Sequence, residues 1–233
     1  MNVGLVIAGG VGHRMGKDIP KQFIELDGKP ILMYTLEGFQ NHPEIDVIEV
    51  VCVEGWEEYV WEQAKKYNIS KLKWMTKGGA SGQESIRNGV EYLKGNCTDD
   101  DIVIIHDGIR PVIDNFVISS VIDTCKKYGN GVTSLPYNEQ IFVMDDEIST
   151  LKYIPRETLR RVATPQAYKL GELVDSYKKA FENNIGLGPT AYTNTMMADL
   201  GVRLYFADGS DKNIKLTTPD DLEIFKGYLK SKK

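Results

Sequence analysis

Short apolar runs alternate with amphipathic stretches through residues 3–135, and this alternation constrains the fold more than any other feature of the sequence. Val3–Ile7 is apolar, while Asp46–Val53 and Asp101–Ile105 are rich in β-branched residues. Between them, stretches such as Gln83–Leu93 place apolar residues at helical spacing. Strands that alternate with helices are typical of βαβ units. We therefore expect an α/β fold with a doubly wound, mainly parallel, twisted sheet, covered on both faces.

The rest of the chain fits the same pattern, and its length of 233 residues suits a single domain over 1–233. Further strands are predicted at Lys71–Thr76, Gly131–Leu135 and Val202–Phe206, and helices at Ile31–Phe39, Trp56–Tyr67, Val117–Cys125, Gly171–Asn183, Thr193–Leu200 and Pro219–Lys230.

The alternation breaks at Asn138. Residues 141–154 read IFVMDDEISTLKYI, which indicates two strands joined by an acidic turn. We predict a β-hairpin over residues 138–153. An isolated hairpin cannot bury both of its faces, so it needs the flank of the domain or a second subunit as a partner.

Charge and composition exclude several classes of protein. The net charge of −5 argues against a nucleic-acid binder. The three cysteines lack CxxC spacing, so neither a disulfide framework nor a zinc ribbon is indicated, and a reducing, cytoplasmic location is expected. The N-terminal MNVGLVIAGG does not have the pattern of a signal peptide, and no apolar run approaches the roughly 20 residues of a membrane helix.

A glycine-rich loop, Ala8–Gly16, follows the first predicted strand directly. Glycines let the backbone approach a ligand closely, and free N–H groups at the end of a strand can cradle phosphate oxygens. The alternative is a flexible surface loop. The candidate phosphate-binding residues are Ala8, Gly9, Gly10 and Gly12, with positive charge from Arg14, Lys17 and Lys21.

Two common phosphate-binding motifs do not match this loop. A P-loop ending at Gly16 and Lys17 requires a glycine where the chain has Val11. A Rossmann fingerprint requires a glycine where the chain has Met15, and Pro20 interrupts any helix that starts in the loop.

Two more polar segments follow predicted strands. The segment His106-Asp107-Gly108-Ile109-Arg110-Pro111 follows the strand predicted at Asp101–Ile105. Its Asp107 could hold a divalent metal, or it could pair with Arg110. Ser85 follows the turn at Gly79 and could bind a phosphate or a base, or the turn could be a helix start capped by Ser81. Ligands of open α/β sheets bind at such strand ends.

The last predicted helix begins with a capping pattern. Thr218 is a suitable N-cap residue, Pro219 suits the first helical position, and Asp221 lies three residues after the cap. This pattern explains most of the segment but does not explain Lys215, which precedes it in an extended stretch.

Taken in order, these segments resemble the methylerythritol-phosphate cytidylyltransferase family, which includes ribitol-phosphate cytidylyltransferases. The resemblance implies a Rossmann-like nucleotidyltransferase fold, transfer of CMP from CTP to a small polyol or alcohol phosphate, and release of pyrophosphate. It spans residues 6–222 and is carried by AGGVGHRMG, PKQF, GG followed by ES, HDGIRP, PR, TPQAY and NIKLTTPDDL.

The resemblance also implies roles for individual residues. Arg14 and Lys21 would bind the CTP triphosphate with the loop. Gly79 and Ser85 would lie near the cytosine and ribose, and Asp107 would lie near the ribose of the nucleotide and the metal, Mg²⁺. Arg110, Arg156 and Lys215 would surround the acceptor phosphate, with Gln140 and Thr193 also on the acceptor side. The catalytic residues would be Arg14, Lys21, Arg156 and Lys215. The hairpin resembles an arm that is exchanged between the subunits of a homodimer, which would place Arg156 in the neighbouring active site.

This sequence departs from the family pattern in three places. Ala80-Ser81-Gly82 lacks the usual arginine, Thr193-Asn194 replaces a threonine–aspartate pair, and Asn138-Glu139-Gln140 replaces an Arg-Asp-Thr run. The nucleotide side is thus largely retained while the acceptor side is changed, so the acceptor is open among methylerythritol 4-phosphate, ribitol 5-phosphate and related compounds. Two alternative functions are a sugar 1-phosphate nucleotidyltransferase and a catalytically inactive CTP-binding regulatory subunit.

Overall fold

A computed structural model describes residues 1–10, 19–188 and 191–232. In this part of the chain the strands are β1 (Asn2–Ala8), β2 (Glu25–Leu26), β3 (Lys29–Pro30), β4 (Val47–Cys52), β5 (Leu72–Lys77), β6 (Ile102–Asp107), β7 (Asn130–Pro136), β8 (Ile141–Val143), β9 (Lys152–Ile154), β10 (Arg160–Lys169) and β11 (Phe206–Asp208). The α-helices are α1 (Ile31–Gln40), α2 (Glu57–Lys66), α3 (Gly82–Lys94), α4 (Asn115–Tyr128), α5 (Leu170–Asn183), α6 (Thr193–Asp199) and α7 (Pro219–Ser231), and short 3-10 helices lie at Lys21–Phe23 and Arg156–Thr158.

Seven strands form the central sheet in the order β11-β7-β10-β6-β1-β4-β5. All neighbours are parallel except β10, which runs antiparallel to both β6 and β7. From β1 the chain adds β4 and β5 on one side and then returns to add β6 on the other. The strand order therefore reverses between β1 and β6, which is where ligands bind in open sheets of this kind. The expected doubly wound, mainly parallel sheet is confirmed.

Apolar side chains cover both faces of this sheet, as the near-continuous apolar strands require. On one face the core includes Leu36 and Phe39 of α1 and Ile118 of α4. On the other it includes Val90 of α3 and Leu173 of α5. The two helical layers hold the sheet rigidly, so the loops at its carboxyl edge start from fixed positions.

Helix α7 packs through a separate small cluster. Phe225 is 1% exposed and meets the ring of Tyr34 edge-on, with ring centroids 5.2 Å apart. Thr218 caps this helix as predicted, since its hydroxyl accepts a hydrogen bond from the Asp221 amide and the Asp221 carboxylate accepts one from the Thr218 amide. The segment before α7, which carries Lys215, is thereby fixed against the body of the protein.

Two predictions about strands need correction. The strand predicted at Val202–Phe206 was wrong, because the paired strand is β11 (Phe206–Asp208), and Val202 and Leu204 instead pack their side chains against the core from irregular backbone. Strand β10 was missed, because Pro165 in its middle is a residue that interrupts strands. The ladder between β10 and β7 accommodates the proline with a register shift between Val162 and Gln166.

The predicted hairpin is present as β8 and β9, with Phe142 opposite Tyr153. Its strands form a two-stranded sheet separate from the central one. Apolar side chains on the hairpin are strongly exposed: Met144 is 77% exposed, and Ile148 and Leu151 are each 96% exposed.

Within residues 1–10, 19–188 and 191–232, no helix combines the length and the apolar character that are needed to cross a bilayer.

Candidate active site

A cleft of about 400 Å³ lies at the carboxyl ends of β1 and β6, where the strand order reverses. Its volume is within the range of small-molecule sites. The parts of the chain that meet there include the end of β1, the 3-10 helix after it, the first turn of α3, the end of β6, the middle of β10, the start of α6 and the segment before α7. The described lining includes Ala8, Gly9, Gly10, Lys21, Gln22, Gly79, Ser81, Gln83, Ser85, Asp107, Thr164, Gln166, Leu187, Gly188, Tyr192, Thr193 and Lys215.

Gln22 anchors the end of β1 on the floor of the cleft. Its side chain is 1% exposed, and its Nε2 donates to the carbonyl oxygens of Ala8 at 2.7 Å and Gly10 at 2.9 Å. One buried amide thus joins the end of β1 to the loop after it, and the Ala8 carbonyl accepts a second hydrogen bond from the Val53 amide at 3.2 Å. The neighbouring residue, Lys21, also lines the cleft.

The loops after β1 and β5 touch through two glycines. A Cβ on Gly9 would lie 3.2 Å from the Cα of Gly78, and a Cβ on Gly78 would lie 3.1 Å from the Cα of Gly9. The Gly78 amide in turn donates to the carbonyl of Cys52 at 2.7 Å. The absence of side chains at these two positions allows the loop backbones to approach each other.

The turn into α3 is held by its own side chains. Ser81 caps the helix by accepting from the Glu84 amide at 3.1 Å. The Ser85 hydroxyl accepts from the Gly79 amide at 2.9 Å and donates to the Ser81 carbonyl at 2.8 Å. The capping alternative for Ser81 is therefore confirmed, and Ser85, which is 3% exposed, shapes the lining of the cleft at Gly79.

Charged side chains converge on Asp107 at the end of β6. Its Oδ2 accepts from Arg110 Nε at 2.8 Å and lies 3.2 Å from Lys215 Nζ. Arg110 Nη1 also donates to the Asn213 carbonyl at 2.8 Å. The alternative in which Asp107 pairs with Arg110 is confirmed, and the structure adds Lys215 from a distant part of the chain.

The electrostatics of this cluster keep Asp107 ionised. Burial would raise the pKa of Asp107, but Lys215 and Arg110 outweigh that effect and lower the pKa to about 2. Burial also lowers the pKa of His106 to about 4, and its Nε2 donates to the Arg110 carbonyl at 3.1 Å when that nitrogen carries the proton. A neutral, fully buried His106 thus supports the turn that carries Asp107 and Arg110.

Thr164 and Asn213 tie this cluster to two other segments. The Thr164 hydroxyl accepts from the Asp107 amide at 3.1 Å, and Asn213 Nδ2 donates to the Thr164 carbonyl at 2.6 Å. The Leu216 amide donates to the Ile109 carbonyl at 2.9 Å. These bonds hold the segment that carries Lys215 beside the end of β6.

Thr193, at the start of α6, completes the opposite side of the cleft. It is 2% exposed, and its Oγ1 lies 2.8 Å from the hydroxyl of Tyr177. The ring of the preceding residue, Tyr192, lies with its centroid 5.3 Å from Lys215 Nζ. The start of α6 therefore reaches Lys215 through the ring of Tyr192.

The structure brings together most of the residues that the sequence suggested. Arg110 lies next to the cleft, where it lines a neighbouring cavity of about 320 Å³ together with Lys215. Arg156 and Gln140 belong to the base of the hairpin and are not among the described lining of either cavity, and Arg156 Nη1 instead donates to the Asn138 carbonyl at 3.2 Å. Gly12, Arg14 and Lys17 lie outside the described residues. The residues that line the cleft as suggested are Ala8, Gly9, Gly10, Lys21, Gly79, Ser85, Asp107, Thr193 and Lys215.

Sequence reasoning missed Gln22, Thr164, Asn213 and the pair Gln83–Tyr177. The first three lie inside the segments that carry the family resemblance, which was the signal available for them.

Curated relatives of this chain are cytidylyltransferases. The chain is 57% identical to the ribitol-5-phosphate cytidylyltransferase of Lacticaseibacillus paracasei, over 100% of this chain and 99% of that protein. It is 36% identical to the 2-C-methyl-D-erythritol 4-phosphate cytidylyltransferase of Clostridium novyi, over 99% and 97% of the two chains.

Solved structures share the fold. The 4-diphosphocytidyl-2C-methyl-D-erythritol synthase of Anaerococcus prevotii aligns with a TM-score of 0.83 at 21% identity, covering 99% of this chain and 98% of that one. The sequence also matches the family described as 2-C-methyl-D-erythritol 4-phosphate cytidylyltransferase over residues 3–231. The expected resemblance is thereby confirmed: the chain belongs to the 2-C-methyl-D-erythritol 4-phosphate cytidylyltransferase family of enzymes.

Proposed function

We propose that this enzyme transfers CMP from CTP to ribitol 5-phosphate or a close polyol phosphate. The observation that carries the proposal is the cleft at the reversal of strand order, where Lys215 pairs with the ionised Asp107 and Lys21 also lines the wall. The choice of ribitol 5-phosphate over methylerythritol 4-phosphate rests on the relative at 57% identity and on the altered residues of the acceptor side. Sugar 1-phosphate nucleotidyl transfer has no comparable support.

In the proposed reaction, a phosphate oxygen of the acceptor attacks the α-phosphorus of CTP. The new P–O bond forms as the bond to the β-phosphate oxygen breaks, and pyrophosphate leaves with that electron pair. The nucleophile is already an anion at neutral pH, so the step needs no general base. Catalysis then consists of positioning and of stabilising developing charge.

The cleft supplies cations for both tasks. Lys21, at the end of the glycine-rich loop, would neutralise charge that builds between the α- and β-phosphates. Lys215 would hold the incoming acceptor phosphate, with Asp107 setting the position of its ammonium group. Arg14 is proposed for the same triphosphate role as Lys21.

We propose Mg²⁺ as the cofactor, held mainly by the triphosphate. Among the described residues no three His, Cys, Asp or Glu side chains come together as a metal cage. Mg²⁺ commonly binds through one or two carboxylates plus substrate phosphates, and Asp107 in the cleft fits that limited role. When bound, the ion would neutralise phosphate charge, while the side chains of this chain orient the two substrates.

The reaction is tested by pyrophosphate release. The purified enzyme is incubated with CTP, Mg²⁺ and one acceptor from a panel: ribitol 5-phosphate, methylerythritol 4-phosphate, glycerol 3-phosphate or a sugar 1-phosphate. We expect the highest kcat/KM with ribitol 5-phosphate. Binding of CTP with no pyrophosphate release from any acceptor would instead identify a regulatory subunit, and a preference for the sugar 1-phosphate would reject the proposal.

Removing the Gln22 amide is expected to weaken CTP binding. Gln22→Met keeps the volume of the side chain but removes the donor to the Gly10 carbonyl and leaves the Ala8 carbonyl with the Val53 amide alone. Since a lost buried hydrogen bond costs about 1–3 kcal/mol, we expect the Kd for CTP, measured by calorimetry, to rise about 10-fold or more. A variant that binds CTP as tightly as the wild type would show that the anchor does not shape the nucleotide site.

We also propose that the enzyme is a homodimer in which the hairpin reaches the neighbouring active site. The hairpin exposes Met144, Ile148 and Leu151 in the single chain. Arg156 and Gln140, at its base, are absent from the described lining of the cleft in their own chain. An exchanged hairpin would bury these apolar side chains against the neighbouring subunit and would place Arg156 and Gln140 in the cleft of that subunit.

Mixing two inactive variants tests this arrangement. Arg156→Ala and Lys21→Ala subunits, unfolded together and refolded, form heterodimers in which one site is intact if Arg156 acts across the interface. We expect about a quarter of wild-type activity for statistical mixing in a two-fold dimer. If Arg156 serves its own chain, every site lacks one residue and mixing restores nothing. Refolded wild-type enzyme is the control.

A cytoplasmic location is proposed on the cysteines alone. Cys52, Cys97 and Cys125 are free, and Cys52 and Cys125 are buried, which is typical of proteins in a reducing compartment.

A further inference from the structure

A chain of buried hydrogen bonds joins α3, α5 and α6 behind the cleft. Gln83 Nε2 donates to the Gly186 carbonyl at 3.0 Å, and Gln83 Oε1 lies 3.0 Å from the Tyr177 hydroxyl. The Tyr177 hydroxyl also lies 2.8 Å from Thr193 Oγ1. Gln83, Tyr177 and Thr193 are 4%, 2% and 2% exposed.

The chemistry of these groups fixes the direction of each bond. The Gly186 carbonyl can only accept, so the Gln83 amide nitrogen faces it and the amide oxygen faces Tyr177. That oxygen can only accept, so Tyr177 donates its single proton to Gln83. Tyr177 must then accept from Thr193, whose single proton is used in that bond.

Thr193 is therefore left with lone pairs and no proton for a ligand in the cleft. An oxygen in that state can accept a hydrogen bond from a hydroxyl or amino group, but it cannot donate one to a deprotonated phosphate oxygen. Burial raises the pKa of Tyr177 well above its ordinary value, so its hydroxyl keeps its proton throughout the neutral range.

We propose that Tyr177, set by Gln83, is a positioning residue that makes Thr193 a hydrogen-bond acceptor, so that Thr193 selects a hydroxyl group on the carbon chain of the acceptor substrate. This inference rests on the proposed polyol phosphate reaction and names the part of the acceptor that Thr193 reads. We assign Thr193 to the acceptor and not to the nucleotide because the ring of the adjacent Tyr192 lies near Lys215, which is proposed to hold the acceptor phosphate.

The test compares ribitol 5-phosphate with analogues that each lack one hydroxyl group. For each analogue the discrimination factor is kcat/KM for ribitol 5-phosphate divided by kcat/KM for the analogue. We expect a factor of about 10 or more for the contacted hydroxyl in the wild-type enzyme. In Thr193→Val, which keeps the side-chain shape, this factor should fall to about 1, and Thr193→Ser should retain it.

Tyr177→Phe separates the positioning role from packing. It removes only the hydroxyl, so Thr193 loses the partner that fixes its orientation as an acceptor and the same discrimination factor should fall several-fold, while the KM for CTP changes less than about two-fold. Thermal unfolding confirms that the variants are folded, and the Thr193 variants test the selection of a hydroxyl independently if Tyr177→Phe does not fold.

Three results would overturn the proposal. A Thr193→Val variant that loses kcat/KM equally for every analogue would show that Thr193 binds the shared phosphate. Unchanged discrimination in Thr193→Val would give Thr193 a purely structural role. Loss of discrimination in Thr193→Val but not in Tyr177→Phe would remove Tyr177 from the mechanism. Absence of turnover by the wild-type enzyme with every polyol phosphate would reject the proposed function itself, and that result is distinct from these three.

Discussion

Replacing Lys21 by alanine is expected to lower kcat about 100-fold or more, because the ammonium group would stabilise charge that appears only as the bond between the α- and β-phosphates breaks. Lys21 lines the cleft next to the anchored Gln22. A group that acts on developing charge affects kcat more than the affinity for the ground state. We therefore expect the Kd for CTP to change far less than kcat.

The measurement is pyrophosphate release at saturating CTP and acceptor, with CTP binding determined by calorimetry on the same preparations. Lys73→Ala is the matched control, since it removes the same charge from an exposed position on β5, and it should keep wild-type turnover. Lys21→Arg keeps the charge on a side chain of different shape, and its turnover should lie between that of Lys21→Ala and that of Lys73→Ala. A folded Lys21→Ala enzyme with normal turnover would remove Lys21 from the proposed mechanism.

Replacing Glu49 by glutamine is expected to remove a large pH dependence of stability. Glu49 lies on β4 with 0% exposure; its Oε1 accepts from the Thr76 hydroxyl at 2.9 Å, and its Oε2 is buried without a partner among the described residues. Burial raises the pKa of Glu49 from 4.5 to about 8, although the bond from Thr76 opposes this shift. The folded protein thus holds a proton that the unfolded chain releases.

The sign of the effect follows from proton linkage. Between pH 4.5 and about 8 the native state binds more protons than the unfolded state, so the free energy of unfolding falls as the pH rises through that window and levels off above it. Glu49→Gln cannot ionise and should lack this fall. Relative to the wild type, the variant should gain roughly 3–5 kcal/mol in unfolding free energy between pH 5 and pH 9.

Urea unfolding followed by circular dichroism at pH 5, 7 and 9 measures this gain. Glu62→Gln changes an exposed glutamate on α2 and is the control, for which the difference from wild type should stay within about 0.5 kcal/mol at every pH. Parallel stability profiles for wild type and Glu49→Gln would show that Glu49 is solvated or paired in the folded protein in solution.

Much of the fold could be predicted because the strands that matter most are continuous apolar runs. β1, β4 and β6 are buried on both sides, and Thr218 with Asp221 is a local capping pattern that sequence displays directly. β10 could not be predicted in this way, since Pro165 breaks the local pattern and only pairing with β6 and β7 makes the segment a strand. Tertiary contacts decide such cases.

The same division holds for the site. Lys21, Asp107 and Lys215 could be predicted as site residues because each is a charged residue in a glycine-rich loop, at the end of a strand or in an extended stretch. Local helix or strand patterns do not explain charges at such positions, whereas a bound ligand does. Gln22 did not, because its bonds to the loop carbonyls are invisible to periodicity and composition, and it reaches Ala8 across 14 positions of the chain. The bond between Tyr177 and Thr193 likewise appears only after α5 and α6 are packed together.

The contact between Gly9 and Gly78 has a consequence for how such an enzyme can be altered. Because the two loop backbones touch, a side chain introduced at Gly9 or Gly78 must displace the facing loop, so the end of the cleft that we propose for the nucleotide can change there only as a unit. The end formed by α6 and the segment around Lys215 is joined to the rest by the backbone bond from Leu216 to Ile109 and by side-chain hydrogen bonds, and the side-chain bonds can be exchanged one at a time. Variants with a new acceptor should therefore be accessible by single substitutions, whereas a change of nucleotide would require coordinated replacement of both loops.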